Sequence, residues 1–334
     1  MTAELRADLV CEGGGVRGIG LVGAVDALAE AGYSFPRIAG SSAGAIVAAL
    51  AAALQRAGEP LTALREIIAG IDYRKFEDTT LLGKIPLVGG VLSLVTTDGV
   101  YQGDYLEKFL GGILDDLGVR TFGDLRTGDV SERHGWALVV AATDLSRRRL
   151  VRIPWDLPAY GVEADEFPVA RAVRASSAIP FLFAPVRVRG ATWVDGGLLA
   201  NFPIDLFDRE RGAARWPTFG IRLSAPPGVP PTHPVRGPLS LGLALGIAAV
   251  GILFGNQDAA YVDDPCTVRR TVFVPSGSVS PIDFRIDAAK SAALYESGVT
   301  AGREFVEAWD WAAFRADCVR VGSGSRPARR THRP

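Results

Sequence analysis

Cysteine, histidine and methionine are scarce in this 334-residue chain, which has three, three and one of them. Cys11, Cys266 and Cys318 are odd in number and far apart, with no C-x-x-C pair and no histidine at ligand spacing. Neither a disulfide framework nor a zinc site is expected from that pattern. Net charge is nearly absent as well: 36 Lys plus Arg against 37 Asp plus Glu leave −1. No global field gathers nucleic acid or an anionic membrane unless a local patch exists. The start, MTAELRADLV, carries Glu4 and Asp8 where a secretory signal needs a basic segment and then an apolar run, so no signal peptide is read and a reducing cytoplasm is the expected location. The one membrane-like run, residues 239–254, is shorter than the roughly 18 to 20 residues of a spanning helix. Its Gly242/Gly246 and Gly251/Gly255 spacing suits close packing, and a helix wedged in a protein core is the expected reading.

What is present is ordinary globular material, 48% hydrophobic and 22% charged, enough for a large buried core. β-prone segments alternate with helical ones from the N-terminus onward, the pattern of βαβ units and a parallel sheet. Strands are expected at 7–14, 35–41, 136–144, 149–154, 184–190, 192–197, 219–224 and 269–275, and helices at 19–32, 103–116, 167–177, 240–262 and 287–308. The SAGAIVAALAAAL segment is apolar nearly all round and reads as a buried helix. The Pro-rich stretch 224–238 reads as a long surface connection within one domain that spans 7–316. Residues 320–334, Arg-, Gly-, Ser- and Pro-rich without apolar anchors, read as a disordered tail.

Two loops carry chemistry. GGGVRG, with Gly13, Gly14, Gly15 and Gly18, lies between a predicted strand and a helix, where converging N–H groups and the helix dipole favour an anion. It satisfies G-x-G-x-x-G, but the acidic residue that a dinucleotide fold needs about 20 positions on is missing from YSFPRIAGSS. An oxyanion hole is the surviving reading, with Arg17 holding a phosphate or bracing the loop; a plain tight turn is the bland alternative. Next, Gly40-Ser41-Ser42-Ala43-Gly44 is G-x-S-x-G between strand and helix, the setting of a nucleophile elbow with Ser42 as nucleophile.

A serine nucleophile needs a base. His134, His233 and His332 precede a strand, sit in the Pro-rich stretch and lie in the tail, so none is well placed, which leaves a carboxylate. Asp195, followed by Gly196-Gly197, and Asp144, at the end of WALVVAATD, are rivals that no local feature separates. An Asp-Gly-Gly turn is the bland reading of the first.

GGGVRG, GSSAG and DGG in that order, with ASSAIPFLFAPV at 175–186 and VDGGLLANFP at 194–203, resemble the patatin-like phospholipase family over about residues 7–308. The resemblance implies an α/β three-layer sandwich, a central mostly parallel sheet with helices on both faces. It implies lipid acyl hydrolysis by a Ser–Asp dyad without metal or other cofactor. Residue by residue it implies Ser42 as nucleophile, Asp195 rather than Asp144 as base, Gly13, Gly14, Gly15 and Gly18 as the oxyanion loop, and Arg17 as its support. An acyl lipid or phospholipid is the expected partner, with peripheral membrane contact following from that substrate and no nucleic acid. Residues 81–101 are a candidate cover for an acyl channel, and Arg147, Arg148, Arg149 and Arg152 candidate headgroup contacts, with an exposed charged strand edge the plainer reading. The competing functions are a small-substrate esterase or thioesterase, and a non-catalytic lipid or anion binder.

Overall fold

The computed structural model describes residues 5–71, 99–101, 103–129, 135–208, 214–223, 264–277 and 279–318. The expected helix at 240–262, the apolar run, the Pro-rich connection, the three histidines, most of the candidate cover and the tail lie outside these residues.

The central sheet has eight strands: β1 (Asp8–Cys11), β2 (Ile38–Ser41), β3 (Leu138–Asp144), β4 (Arg149–Ile153), β5 (Val186–Val188), β6 (Ala191–Asp195), β7 (Thr218–Arg222) and β8 (Thr271–Phe273). In space they run β8-β7-β1-β2-β3-β6-β5, with β4 also paired to β3. The first five in that order are mutually parallel, and β4, β5 and β6 join by antiparallel pairing. Six fall within the strands expected from sequence, shorter mainly where the predicted run spills into a loop, and β6 and β7 each begin one residue early, at Ala191 and Thr218.

The helices follow from periodicity and caps. α1 (Ile19–Glu30) succeeds the glycine loop, and α2 (Ala43–Ala57) succeeds GSS. α2 is alanine-rich, buried from Ala43 to Leu54, and ends on Gly58 in left-handed backbone, φ 78°. α3 (Ala63–Ala69), α4 (Asp104–Asp116) and α5 (Val169–Ser176) follow, then a short α6 (Pro265–Arg269), the long α7 (Ala288–Ala308) capped by Asp287, and α8 (Trp311–Cys318).

Strand alternation divides the core in two. Leu9, Cys11, Ile38, Leu138 and Val140 join the main core with α1, α2 and α5. Val10, Ala39 and Val139 belong to a second core, closed by Phe202, Ile204 and Phe207. The sheet is thus mixed, mostly parallel and flanked by helices.

One expectation is overturned. Cys266 of α6 and Cys318 of α8 form a disulfide, their Cα atoms 5.6 Å apart. With 52 positions separating them in sequence and no motif, the pairing has no local signature. It arises because α8 packs back beside α6, next to rings of Phe219, Phe305, Trp309 and Phe314. Cys11 remains a buried thiol, its pKa pushed up to about 12 by burial. No helix among the described residues is long and apolar enough to cross a membrane.

Candidate active site

The edge of β3 changes partner half-way along. Leu138 to Ala141 pair with Ile38 to Ser41 of β2, in parallel. From Ala142 onward the same edge pairs with Asp195, Val194 and Trp193 of β6, running the other way. β4 pairs with Val140 to Asp144 and so takes the opposite edge. The carboxyl ends of β2 and β6 therefore meet head to head at Ala141 and Ala142, which brings Ser42 and Asp195 together across 153 positions of sequence.

Ser42 holds the strained turn of an elbow, φ 53° and ψ −124°, between β2 and α2. The turn is possible because Gly44 packs directly on the backbone carbonyls of Cys11 and Glu12, where any Cβ would collide. Gly40 in turn packs on the Gly44 carbonyl. Ser42 Oγ donates to Asp195 Oδ2 at 2.7 Å. The other carboxylate oxygen, Oδ1, accepts the Gly197 N–H at 2.8 Å. Asp195 is fully buried and Ser42 is 4% exposed. Burial pushes the Asp195 carboxyl up to about 7, against the pull of its bonds from Ser42 and Gly197. Gly196 is required because it sits on the Ala141 carbonyl and Ser41 Oγ, at the seam between the two strand ends.

The rival carboxylate is occupied elsewhere. Asp144 Oδ1 accepts the N–H groups of Ser146 and Arg147, and Oδ2 accepts the Tyr160 hydroxyl at 2.8 Å. It closes the turn between β3 and β4.

The glycine loop lies beside Ser42. Gly13 is sandwiched between the Asn201 side chain and Ser42 Cβ, and its N–H donates to the Asn201 carbonyl at 3.0 Å. Gly15, φ 57°, packs on the Pro281 carbonyl. Among the described residues the N–H groups of Gly14 and Gly15 donate to no backbone carbonyl. Arg17 braces the loop, donating to the Gly14 carbonyl at 3.3 Å and to Ser276 Oγ at 3.2 Å. Gly15 and Gly18 open onto a cavity with Ser42, Ile46, Val47, Ile68, Ile71, Leu106, Phe183 and Phe284. Arg174 and Ser177 also line it, but apolar side chains make up most of the wall.

Two residues in the quoted sequence segments had no assigned role. Ser176 accepts the Ser42 N–H at 2.9 Å and donates to the Ala141 carbonyl at 2.6 Å, pinning the elbow to the seam. Asn201, besides its carbonyl, donates from Nδ2 to the Gly13 carbonyl at 3.3 Å. Beneath it Glu12 accepts from Arg222 at 3.0 Å and from the Leu223 N–H at 2.5 Å. No local pattern announces either bond, since each joins segments more than 130 residues apart.

Residues 9–208 match the family model described as patatin-like phospholipase, more than half of the chain. The chain belongs to the patatin-like phospholipase family. Family membership makes it a lipid acyl hydrolase at that level of description. Uncharacterised protein YqhO of Bacillus subtilis is 35% identical over 312 residues, covering 91% of this chain and 99% of its own. An uncharacterised NTE family protein of Mycobacterium tuberculosis is 32% identical over 203 residues, 59% of this chain and 27% of that one. Among solved structures, VipD from Legionella pneumophila shares the fold, with TM-score 0.53 and 17% identity over 90% of this chain and 66% of VipD.

Proposed function

We propose that this patatin-like chain hydrolyses carboxylic esters of acyl lipids, phospholipids among them, through a Ser42–Asp195 dyad. The observation that carries the reading is the 2.7 Å bond from Ser42 Oγ to a fully buried Asp195, on the rim of a mostly apolar cavity. A carboxylate held near neutrality is a far better base than one near pKa 4, because it takes a proton with more driving force. As Ser42 attacks the ester carbonyl, its proton passes to Asp195 Oδ2. Charge develops on the carbonyl oxygen, for which the N–H groups of Gly14 and Gly15, which donate to no backbone carbonyl among the described residues, are the proposed donors, and the N-terminus of α2 adds its positive end. Gly13, its own N–H spent on Asn201, sets the loop's position, and Gly18 belongs to the cavity wall. The alcohol leaves with the proton; water then attacks the acyl-enzyme as Asp195 takes its proton, the acyl bond to Ser42 Oγ breaks, and the proton returns to Ser42 Oγ as the carboxylic acid is released. The walls at Ile46, Val47, Ile68, Ile71 and Leu106 suit an acyl chain better than a small polar substrate.

The test is release of p-nitrophenol from short- and long-chain acyl esters by wild type, Ser42→Ala and Asp195→Asn, with circular dichroism on each. Turnover by wild type and its loss by at least about a thousandfold in both folded variants is expected. Activity surviving in Ser42→Ala refutes the dyad, and inert wild type on every chain length favours a lipid-binding role.

A further inference from the structure

Two hairpin tips stand side by side at one corner of the sheet. Leu145 N–H donates to the Thr192 carbonyl at 2.9 Å and Ser146 Oγ accepts the Thr192 N–H at 3.0 Å, so the ladder between β3 and β6 continues into the β3–β4 turn. That places Leu145 and Ser146 beside Thr192, next to the Arg189-Gly190 turn between β5 and β6, while Arg147 and Arg148 lie on the returning side of the β3–β4 turn, toward Arg149, which pairs with Asp144. The tips carry Arg147, Arg148 and Arg189, all exposed, and Arg149 and Arg152 follow on β4. These five arginines stand against the two aspartates that contact them among the described residues, Asp144 and Asp156, a local excess of three positive charges in a chain whose net charge is −1. Asp156 is engaged by Arg149 and Arg152, and Asp144 lies 3.9 Å from Arg147. Arg148 and Arg189 have no ion-pair partner among the described residues.

Both hold left-handed backbone, φ 53° and φ 47°. The Arg189-Gly190 turn, with Gly190 at φ 82°, is of the kind that favours Asn or Gly at its first position. Arginine at two such tips works against local preference, and an outlier of that kind calls for a functional reading. Leu145, at the start of the β3–β4 turn, is 45% exposed. Asp195 pairs with Ala142 on the same strand, so the tips project about 10 Å or more beyond the dyad, from the end of the sheet that bears Ser42.

We infer that this corner docks the enzyme on a bilayer containing anionic phospholipid: the arginines meet headgroup phosphates, and Leu145 enters the acyl boundary. Choosing a bilayer rather than another polyanion rests on the lipid acyl hydrolase reading above, and Leu145 independently favours it, since a purely ionic partner gains nothing from an exposed leucine.

The experiment is co-sedimentation of the full chain with vesicles of phosphatidylcholine alone and with about one-third phosphatidylglycerol, alongside hydrolysis of a soluble short-chain ester. Wild type is expected to bind the anionic vesicles, not the neutral ones, and to release in high salt. Arg148→Asn with Arg189→Asn, substitutions suited to left-handed turns, is expected to weaken binding about thirtyfold, and Leu145→Asp about tenfold. Neither changes turnover of the soluble ester. No binding by wild type, or binding by the double variant within twofold of wild type, overturns the inference. Binding lost with the arginines but untouched by Leu145→Asp leaves a purely ionic contact with the headgroups and overturns the insertion of Leu145. Sedimentation and soluble-ester turnover are read separately, so failure of the docking and failure of the dyad are distinguishable.

Discussion

Replacing Asp195 by Asn should abolish hydrolysis and make the protein more stable, by an amount that depends on pH. Asp195 is fully buried, with its carboxyl raised from 3.8 to about 7, burial being the main cause. Below pH 4 the group is neutral folded and unfolded, and titration contributes no difference. Between pH 4 and 7 the unfolded chain ionises while the folded chain holds its proton, so wild type loses stability as pH rises, and above pH 7 the loss is complete. At about 1.4 kcal/mol per pH unit the total is on the order of 4 kcal/mol. Asn is isosteric and never ionises; its oxygen still accepts from Gly197 and its amide faces Ser42 Oγ. Asp195→Asn should therefore gain on wild type with rising pH, reaching a melting temperature about 5 °C higher at pH 8. The assay is thermal unfolding of both proteins at pH 4 and pH 8. A difference that does not grow between those values refutes the buried, raised carboxylate. The same group predicts the rate profile: the base works ionised, so kcat/KM for a soluble ester should fall on the acid side with a midpoint near pH 7, and a midpoint near 4 contradicts it.

Gly44→Ala should cost several kcal/mol or prevent folding, because its Cβ has only the Cys11 and Glu12 carbonyls to enter, and chemical denaturation reads the loss. Ser176→Ala leaves the Ser42 N–H without its acceptor; we expect kcat to fall about tenfold or more at little change in KM, and an unchanged kcat per titrated site shows that the elbow holds itself. Breaking the disulfide by Cys266→Ser removes a 52-residue crosslink, about 4 kcal/mol on chain-entropy grounds, and calorimetry under non-reducing conditions measures it.

The strands, the five expected helices that fall within the described residues and the order of the loops were legible because each is written locally, whereas α3, α6 and α8 were not expected. Strand runs are bounded by glycine or turn residues, and the two loops have glycine where a side chain would strike backbone. From local pattern Asp195 was legible only as one of two carboxylates at strand ends, and the family resemblance alone put it ahead of Asp144. What separates it from Asp144 is partnership across the sheet: Asp144 spends its oxygens on Ser146, Arg147 and Tyr160, while Asp195 keeps one for Ser42. The Cys266–Cys318 bond, Ser176 and Asn201 were not legible for the same reason, each being a contact between distant segments with no fixed spacing.

The seam on β3 explains why the motifs need one another. An elbow serine ends a parallel strand and points outward at the sheet's carboxyl edge, but a parallel neighbour brings only its own carboxyl end to that level, side by side. An antiparallel strand on the same edge arrives from the opposite direction and can end against the serine. That is the geometry of β2 and β6, which abut at Ala141 and Ala142. Such an arrangement leaves a break in the ladder, and the break must be filled without bulk. Gly196 fills it on one side and Ser176 on the other, its hydroxyl taking up the Ala141 carbonyl and the Ser42 N–H. On the proposed reading the dyad works without a histidine relay, since the sheet's own change of direction places a buried carboxylate in contact with Ser42. The cost is a charge held in the core, and the pH dependence of the Asp195→Asn gain measures it.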